Sequence, residues 1–424
     1  MRIVLFGILA AFILSFPDDA FARGTPAAHQ DSAFAPKLTI YLAKGEPDSC
    51  GPGCDRWIAV EGRIDGAAAG RVRKFLRHVK AKDIPFYFYS PGGDVAQSLA
   101  IGRLLRARHA TARVGRTIVT VCGKEPQIDS ACEKIKNAGG ELNATVTTDR
   151  AMCNSACGFL FLGATTREVA PNAVIGIHNP KMLIRFRGDP PPRFRVYETA
   201  VRRERFDRET DGYIAAMGID REFTRLVHKT SFDKPHALTR EELYRFGIDK
   251  RDVSDSPWEG VQAQARPSIR KWIFVKRSDG AFELVQWRFY CGGTFAHYRF
   301  EFISPPDPTI RNISLNVATA AGKELPFRRG QNLKGWLIFG TNFHTATLDK
   351  VVEGGLLRVL QKVSFQDGKE SSDLFQIETV SLKERLPAFD KACETQVRAP
   401  SNTVSWPSQV VPAVTAPSQQ KAVP

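Results

Sequence analysis

The chain contains no Cys-x-x-Cys pair, and none of its 8 histidines stands at zinc-finger spacing, so no structural metal is expected. It has no Gly-x-x-x-x-Gly-Lys-Ser/Thr loop to cradle phosphates, and no nucleotide or other cofactor is implied. Past residue 16 no run is long and apolar enough to cross a bilayer, which takes about 20 residues. The apolar run that does exist lies at the start: Arg2, then Ile3 to Phe16, then small residues around Ala20-Phe21-Ala22. It is short for a span and reads as a secretory signal over residues 1–22, cleaved after Ala22. The mature chain is therefore expected in the periplasm or the medium, with no transmembrane span once the signal is removed.

What remains is large and basic. A chain of 424 residues exceeds what one hydrophobic core usually organises, so two domains are expected. The formal net charge of +15 suits an acidic partner, but export argues against nucleic acid, and the basic residues are widely spread. Eight cysteines fit an oxidising compartment, where pairs persist as disulfides. Many pairings are open to them. In chain order they fall as Cys50 with Cys54, Cys122 with Cys132, Cys153 with Cys157, and the distant Cys291 with Cys393.

Leu38 to Leu42 alternates like a strand, and Trp57-Ile58-Ala59-Val60 reads as a second. Asp65 is placed to cap a helix reaching about Val79, with Val72, Phe75, Leu76 and Val79 on its apolar face. The β-formers Ile84 to Tyr89 run into Ser90-Pro91-Gly92-Gly93, and a helix follows with Leu99, Gly102 and Leu105 facing a core. Alternating strands and helices of this kind predict an α/β fold, a mostly parallel sheet with crossover helices. Residues 122–143 interrupt it as an excursion carrying two cysteines. Ala144 to Thr148, the segment from Cys153 to Leu162, and Val174 to Ile177 resume it, and helical sequence runs from Tyr197 to Phe246. The core domain is expected over 37–255. A β-rich C-terminal domain is expected over 265–397, closed by a helix around Leu382 to Thr395, with a disordered tail over 398–424.

Acyl transfer by a serine enzyme needs a positioned hydroxyl, a base within reach, and donors aimed at the oxyanion. Ser155 stands at the start of an apolar helix, His178 ends the next short strand, and the Gly92-Gly93 turn lets backbone N–H groups approach a substrate carbonyl. A serine at a helix start is commonly a cap and a double glycine commonly a tight turn; their order along the chain gives them weight together. Cys153 and Cys157 flank the serine and are expected to form a structural disulfide rather than act as nucleophiles.

Those three segments, Ser90-Pro91-Gly92-Gly93, Cys153-Asn154-Ser155-Ala156-Cys157-Gly158 and Gly176-Ile177-His178-Asn179-Pro180, resemble the Clp protease proteolytic subunit and its crotonase-fold relatives. More closely, they resemble exported bacterial Clp-like proteins. The likeness covers about residues 38–252 and implies a Clp/crotonase-type core. It implies Ser155 as nucleophile, His178 as general base, and an oxyanion hole of backbone N–H groups at Gly92, Gly93 and Ala156. The family's third member, an aspartate after the histidine, does not map cleanly: counting lands on Thr230 or Ser231, and the nearest carboxylate is Asp233. Lys181 and Lys229 are alternatives for a serine–lysine pair. The resemblance also implies a peptide or protein substrate, and pairing of subunits through the basic stretch after His178. A protein that keeps the fold for binding or assembly, without turnover, is the alternative reading.

Overall fold

Residues 35–398 are described by a computed structural model, apart from 80, 82, 124–126, 183, 185, 262–266, 278–279, 292–296, 319–323, 331–335, 345–347, 349–351 and 353. The expected signal at 1–22 and nearly all of the expected tail lie outside the described residues.

The first part of the chain is mixed α/β. Its strands are β1 (Thr39–Lys44), β2 (Arg56–Glu61), β3 (Phe86–Tyr89), β4 (Thr111–Val114), β5 (Arg116–Val119), β6 (Glu141–Thr147), β7 (Met152–Asn154), β8 (Thr166–Glu168), β9 (Val174–Ile177) and β10 (His236–Ala237). Its helices are α1 (Ala68–His78), α2 (Val95–Ala107), α3 (Ser130–Asn137), α4 (Ala156–Leu162), α5 (Pro192–Ala216), α6 (Arg221–Lys229) and α7 (Arg240–Arg245). One sheet runs β5-β6-β1-β2-β3-β4-β8 and a smaller one β10-β9-β7. The run from β2 through β3 and β4 to β8 is parallel, as is β1 with β6. The β1–β2 and β5–β6 pairs are antiparallel, so the sheet is more mixed than the alternating pattern predicts. Neither pair needs a crossover: the loop over residues 45–55, pinned by Cys50–Cys54, joins β1 to β2, and an excursion pinned by Cys122–Cys132 joins β5 to β6.

Strand β3 explains why its sequence does not alternate. Phe86 and Phe88 enter the main core while Tyr87 is buried in a smaller cluster on the other face with Trp57 and Val146. A strand covered on both sides reads as a continuous apolar run. Helix α2 has the cap its sequence lacks in the first turn: the Asp94 carboxylate accepts the Gln97 N–H at 3.0 Å. Asp65, expected to cap α1, does something else. Ala67 occupies the cap position, and the Asp65 carboxylate accepts the Ala67 N–H at 3.1 Å and pairs with Arg71. The excursion after β5 folds as α3, tied back by Cys122–Cys132.

The later part is β-rich. Strands β11 (Val253–Asp255) and β12 (Glu259–Val261) pair with β13 (Ser268–Lys276), which continues into an antiparallel sheet with Phe282–Cys291, His297–Ser304 and Leu337–His344. A second antiparallel sheet joins Ile310–Ala318, Leu356–Phe365 and Glu370–Glu378. Between them lie stacked aromatic rings: Phe289 on Phe300 with centroids 4.3 Å apart, and Trp287 on Phe300 at 5.3 Å. The helix α8 (Val380–Arg398) closes this part, its Cys393 bonded to Cys291 with Cα atoms 5.5 Å apart. Trp258, fully buried, fastens the two ends of the β-rich part through Nε1–H to the Glu378 carbonyl at 2.7 Å. All eight cysteines are thus paired, which fits an oxidising compartment. No helix among the described residues is long and apolar enough to cross a membrane.

Candidate active site

Ser155 is the single residue between β7 and α4. Its backbone angles, φ 56° and ψ −124°, belong to a region that non-glycine residues rarely occupy, at a cost of about 1–3 kcal/mol. The surroundings impose the turn. Every residue of α4 is buried, Ser155 N–H donates to the Gly176 carbonyl at 2.7 Å, and the Cys153–Cys157 disulfide ties strand end to helix start. Although Ser155 holds the cap position, its hydroxyl makes no capping hydrogen bond, and the residue is only half-buried. A sharp strand-to-helix turn that leaves the hydroxyl forward and uncommitted is the arrangement of a nucleophile elbow.

The glycine turn lies directly against this elbow. A Cβ on Gly92 would stand 2.7 Å from Ser155 Cβ and 3.0 Å from the Ala156 nitrogen, and its φ of +102° excludes other residues without strain. The Gly92 N–H is already given to Ser90 Oγ at 3.1 Å. Gly93 is exposed, its N–H donating to no described backbone acceptor. Ala156 opens α4, so its N–H has no partner within the helix. Of the three expected donors, Gly93 and Ala156 are therefore those whose N–H groups stay available.

His178 reaches the neighbourhood through strand register. Strand β7 pairs with β9 in parallel, Cys153 opposite Ile175 and Asn154 opposite Gly176, so Ser155 and His178 leave the same ends of adjacent strands. The ring is buried, its Nδ1 lies 3.1 Å from the Asn179 carbonyl, and Phe232 packs edge-on with centroids 4.7 Å apart. A carbonyl accepts only, so Nδ1 carries the proton in that bond and Nε2 is left as the basic nitrogen. Asn179 is itself held: its N–H donates to the Thr230 carbonyl at 2.9 Å, its amide to the His228 carbonyl at 3.1 Å, and Arg203 binds its side-chain oxygen.

The residues considered as third member have partners of their own. The Asp233 carboxylate is largely exposed and accepts from Lys181 Nζ at 3.1 Å. The Thr230 hydroxyl donates to the Leu226 carbonyl at 2.7 Å, finishing α6, and Ser231 Oγ accepts the Asp233 N–H at 3.3 Å. Lys181, paired to Asp233 and lying 4.1 Å from the Phe232 ring centre, is committed at the rim, and Lys229 is exposed at the end of α6. The orienting group that sequence reasoning missed is the Asn179 carbonyl, for which side-chain pattern carries no signal.

A second omission is Glu259 on β12. Its buried carboxylate accepts the Thr148 N–H at 2.8 Å, the Asp149 N–H at 2.9 Å, the Thr147 hydroxyl at 2.8 Å and the Asn172 amide at 2.9 Å. Residues 147–149 lead into β7 and Asn172 leads into β9, so one carboxylate from the β-rich part holds the roots of both candidate strands. A cavity of about 280 Å³, lined among others by Tyr87, Arg113, Arg251, Lys271 and Glu378, includes none of the candidate residues. Several of its charges are paired within the lining, Arg113 with Glu168 at 2.7 Å and Lys271 with Asp255 at 2.6 Å.

Similarity to solved structures covers only part of the chain. Two structures of the membrane-bound stomatin-specific protease 1510-N are 15% identical and cover 45% of this chain. They align over 75% and 71% of their own length, with TM-scores of 0.28 and 0.27, the second holding a substrate peptide. The invasion-associated protein B of Bartonella henselae is 7% identical, covers 34% of this chain over 94% of its own, and has a TM-score of 0.25. No protein-family model and no curated protein matches the sequence. At these values the geometry of the site is the ground for a functional reading.

Proposed function

We propose that this chain is an exported serine hydrolase acting on peptides, with a Clp/crotonase-type core. The observation that carries the reading is the strained Ser155 turn, packed against a glycine that only an absent side chain permits, beside two uncommitted backbone donors. In this reading Ser155 Oγ attacks the scissile carbonyl and His178 Nε2 takes its proton. The carbonyl oxygen, turned oxyanion, is received by the Gly93 and Ala156 N–H groups, and His178 then returns the proton to the departing amine. The Asn179 carbonyl holds the ring in the required tautomer; unlike a carboxylate it offsets the imidazolium charge only weakly, which predicts a slow enzyme. The Cys153–Cys157 bond stiffens the turn, and four disulfides support a working place outside the cytoplasm.

A fold kept for binding without turnover is the second reading, favoured by the pairing of Asp233 with Lys181 in place of the imidazole. A fluorophosphonate probe separates the two. The mature protein should be labelled, and Ser155→Ala should abolish labelling while the fold is kept. Absence of labelling in the wild-type protein, with disulfides intact, would leave the binding reading standing.

A further inference from the structure

The first three turns of α5 have their apolar side in water. Phe194, Tyr197 and Val201 follow the i, i+3, i+7 spacing of one helix stripe, while Val196 projects from the other side of the helix. Phe194 is 50% exposed, Tyr197 67% and Val196 72%. Residues 192–197 are exposed on every side of the helix, Arg193 and Arg195 included. Beyond them Arg203 Nη1 donates to the Pro180 carbonyl at 2.9 Å, and Arg202 lies 5.7 Å from the Phe186 ring centre. Within α5 the exposure of large apolar side chains is confined to these first turns. Further along, Glu204, Arg205 and Arg208 are exposed while Thr210, Tyr213 and Ile214 are buried, the ordinary arrangement.

Charge says what would cover this face. Residues 181–203 carry seven basic side chains against two acidic ones, a net of +5. Asp189 and Glu198 are already taken, by Arg195 and Arg202, and Arg187 and Arg193 have no acidic partner among the described residues. A second copy of the chain, itself at +15, would bring like charge against like charge. An anionic lipid surface accepts both features at once: the aromatic side chains enter the headgroup boundary while arginines reach the phosphates. We infer that the exposed stripe of α5 at Phe194 and Tyr197 docks the mature protein onto an anionic membrane surface. The inference stands apart from the hydrolase reading, since it needs no reaction.

The test uses the full chain without residues 1–22 and measures flotation with vesicles of phosphatidylglycerol mixed into phosphatidylcholine, against phosphatidylcholine alone. Binding should appear only on the anionic vesicles and fall as salt rises. The exposed-face variant Phe194→Ser with Tyr197→Ser should weaken it at least about tenfold, by removing the inserted apolar surface. Arg187→Glu with Arg193→Glu, which leaves the apolar stripe intact, should do the same, and circular dichroism should match wild type for both. Equal binding to neutral vesicles, no binding to either, or unaltered binding by both variants would overturn the inference. So would wild-type self-association that Phe194→Ser with Tyr197→Ser abolishes, since the stripe would then be a contact between copies.

Discussion

Replacing Glu259 by alanine should unfasten the two strands that carry Ser155 and His178. In the folded protein its carboxylate is buried and accepts five hydrogen bonds, two of them from the backbone N–H groups of Thr148 and Asp149. The Thr148 hydroxyl keeps the Asn172 oxygen at 2.8 Å and the Asp149 N–H keeps the Thr147 hydroxyl at 3.2 Å, so the cost falls on the Thr148 N–H and the Asn172 amide. At roughly 1–2 kcal/mol for each donor left without an acceptor, the loss sums to about 3 kcal/mol. Glu259→Gln keeps one oxygen for the donors at residues 147–149 but sets its own amide against that of Asn172, so about 1–2 kcal/mol is expected. Urea unfolding followed by tryptophan fluorescence measures both, the midpoint moving with the slope unchanged. Probe labelling of Ser155 should slow in Glu259→Ala under conditions where it is still fully folded. A midpoint shift corresponding to less than about 0.5 kcal/mol for Glu259→Ala would refute the reasoning, because that is the range of an ordinary surface substitution.

Gly92→Ala should fold with difficulty and lose labelling by about 100-fold or more, since its Cβ would stand 2.7 Å from Ser155 Cβ and crowd the Ala156 N–H; labelling within a few-fold of wild type would remove the glycine turn from the site. Asp233→Asn should leave labelling within about twofold, because its carboxylate serves Lys181 at the rim and not the ring. The hydrogen bond from Arg71, against a smaller opposing push from burial, holds the Asp65 carboxyl down from 3.8 to about 2. A lowered folded pKa gives stability that is present above pH 4 or so and is lost as pH falls toward 2. The difference in urea midpoint between wild type and Asp65→Asn should therefore be constant near neutrality and shrink across that window. Non-reducing peptide mapping should recover Cys291 joined to Cys393, and free alkylation of both thiols in the native protein would contradict the structure.

The extent to which each feature is legible in the sequence follows from how local its cause is. The strand, glycine turn and helix around Gly92, and the apolar run after Ser155, are visible in the sequence because neighbouring residues alone dictate them. Strands β4, β5 and β8 carry little such pattern: they are three or four residues long, and Thr111, Arg113, Arg116 and Arg167 interrupt any apolar run. Asp65 shows the limit even at short range. Its position suits a cap, yet an arginine six residues on competes for the same carboxylate and wins it. For α5 the sequence mixes aromatic residues and arginines without a clear face, and where the helix meets the protein depends on Asn179 and Pro180 arriving from β9.

The sequence by itself determined that cysteines come in near neighbours, that a serine follows a strand and opens a buried helix, and that glycines stand where backbone must come close. Each is a property of a few consecutive residues and survives any rearrangement of the rest. Only the tertiary structure decided that the Asn179 carbonyl lies against His178 and that Asp233 pairs with Lys181, and that Glu259, over a hundred residues from Thr148 in the chain, holds the roots of β7 and β9. Those outcomes turn on distances of about an ångström between segments remote in sequence, where a carboxylate goes to whichever donors the whole packing brings within hydrogen-bond reach.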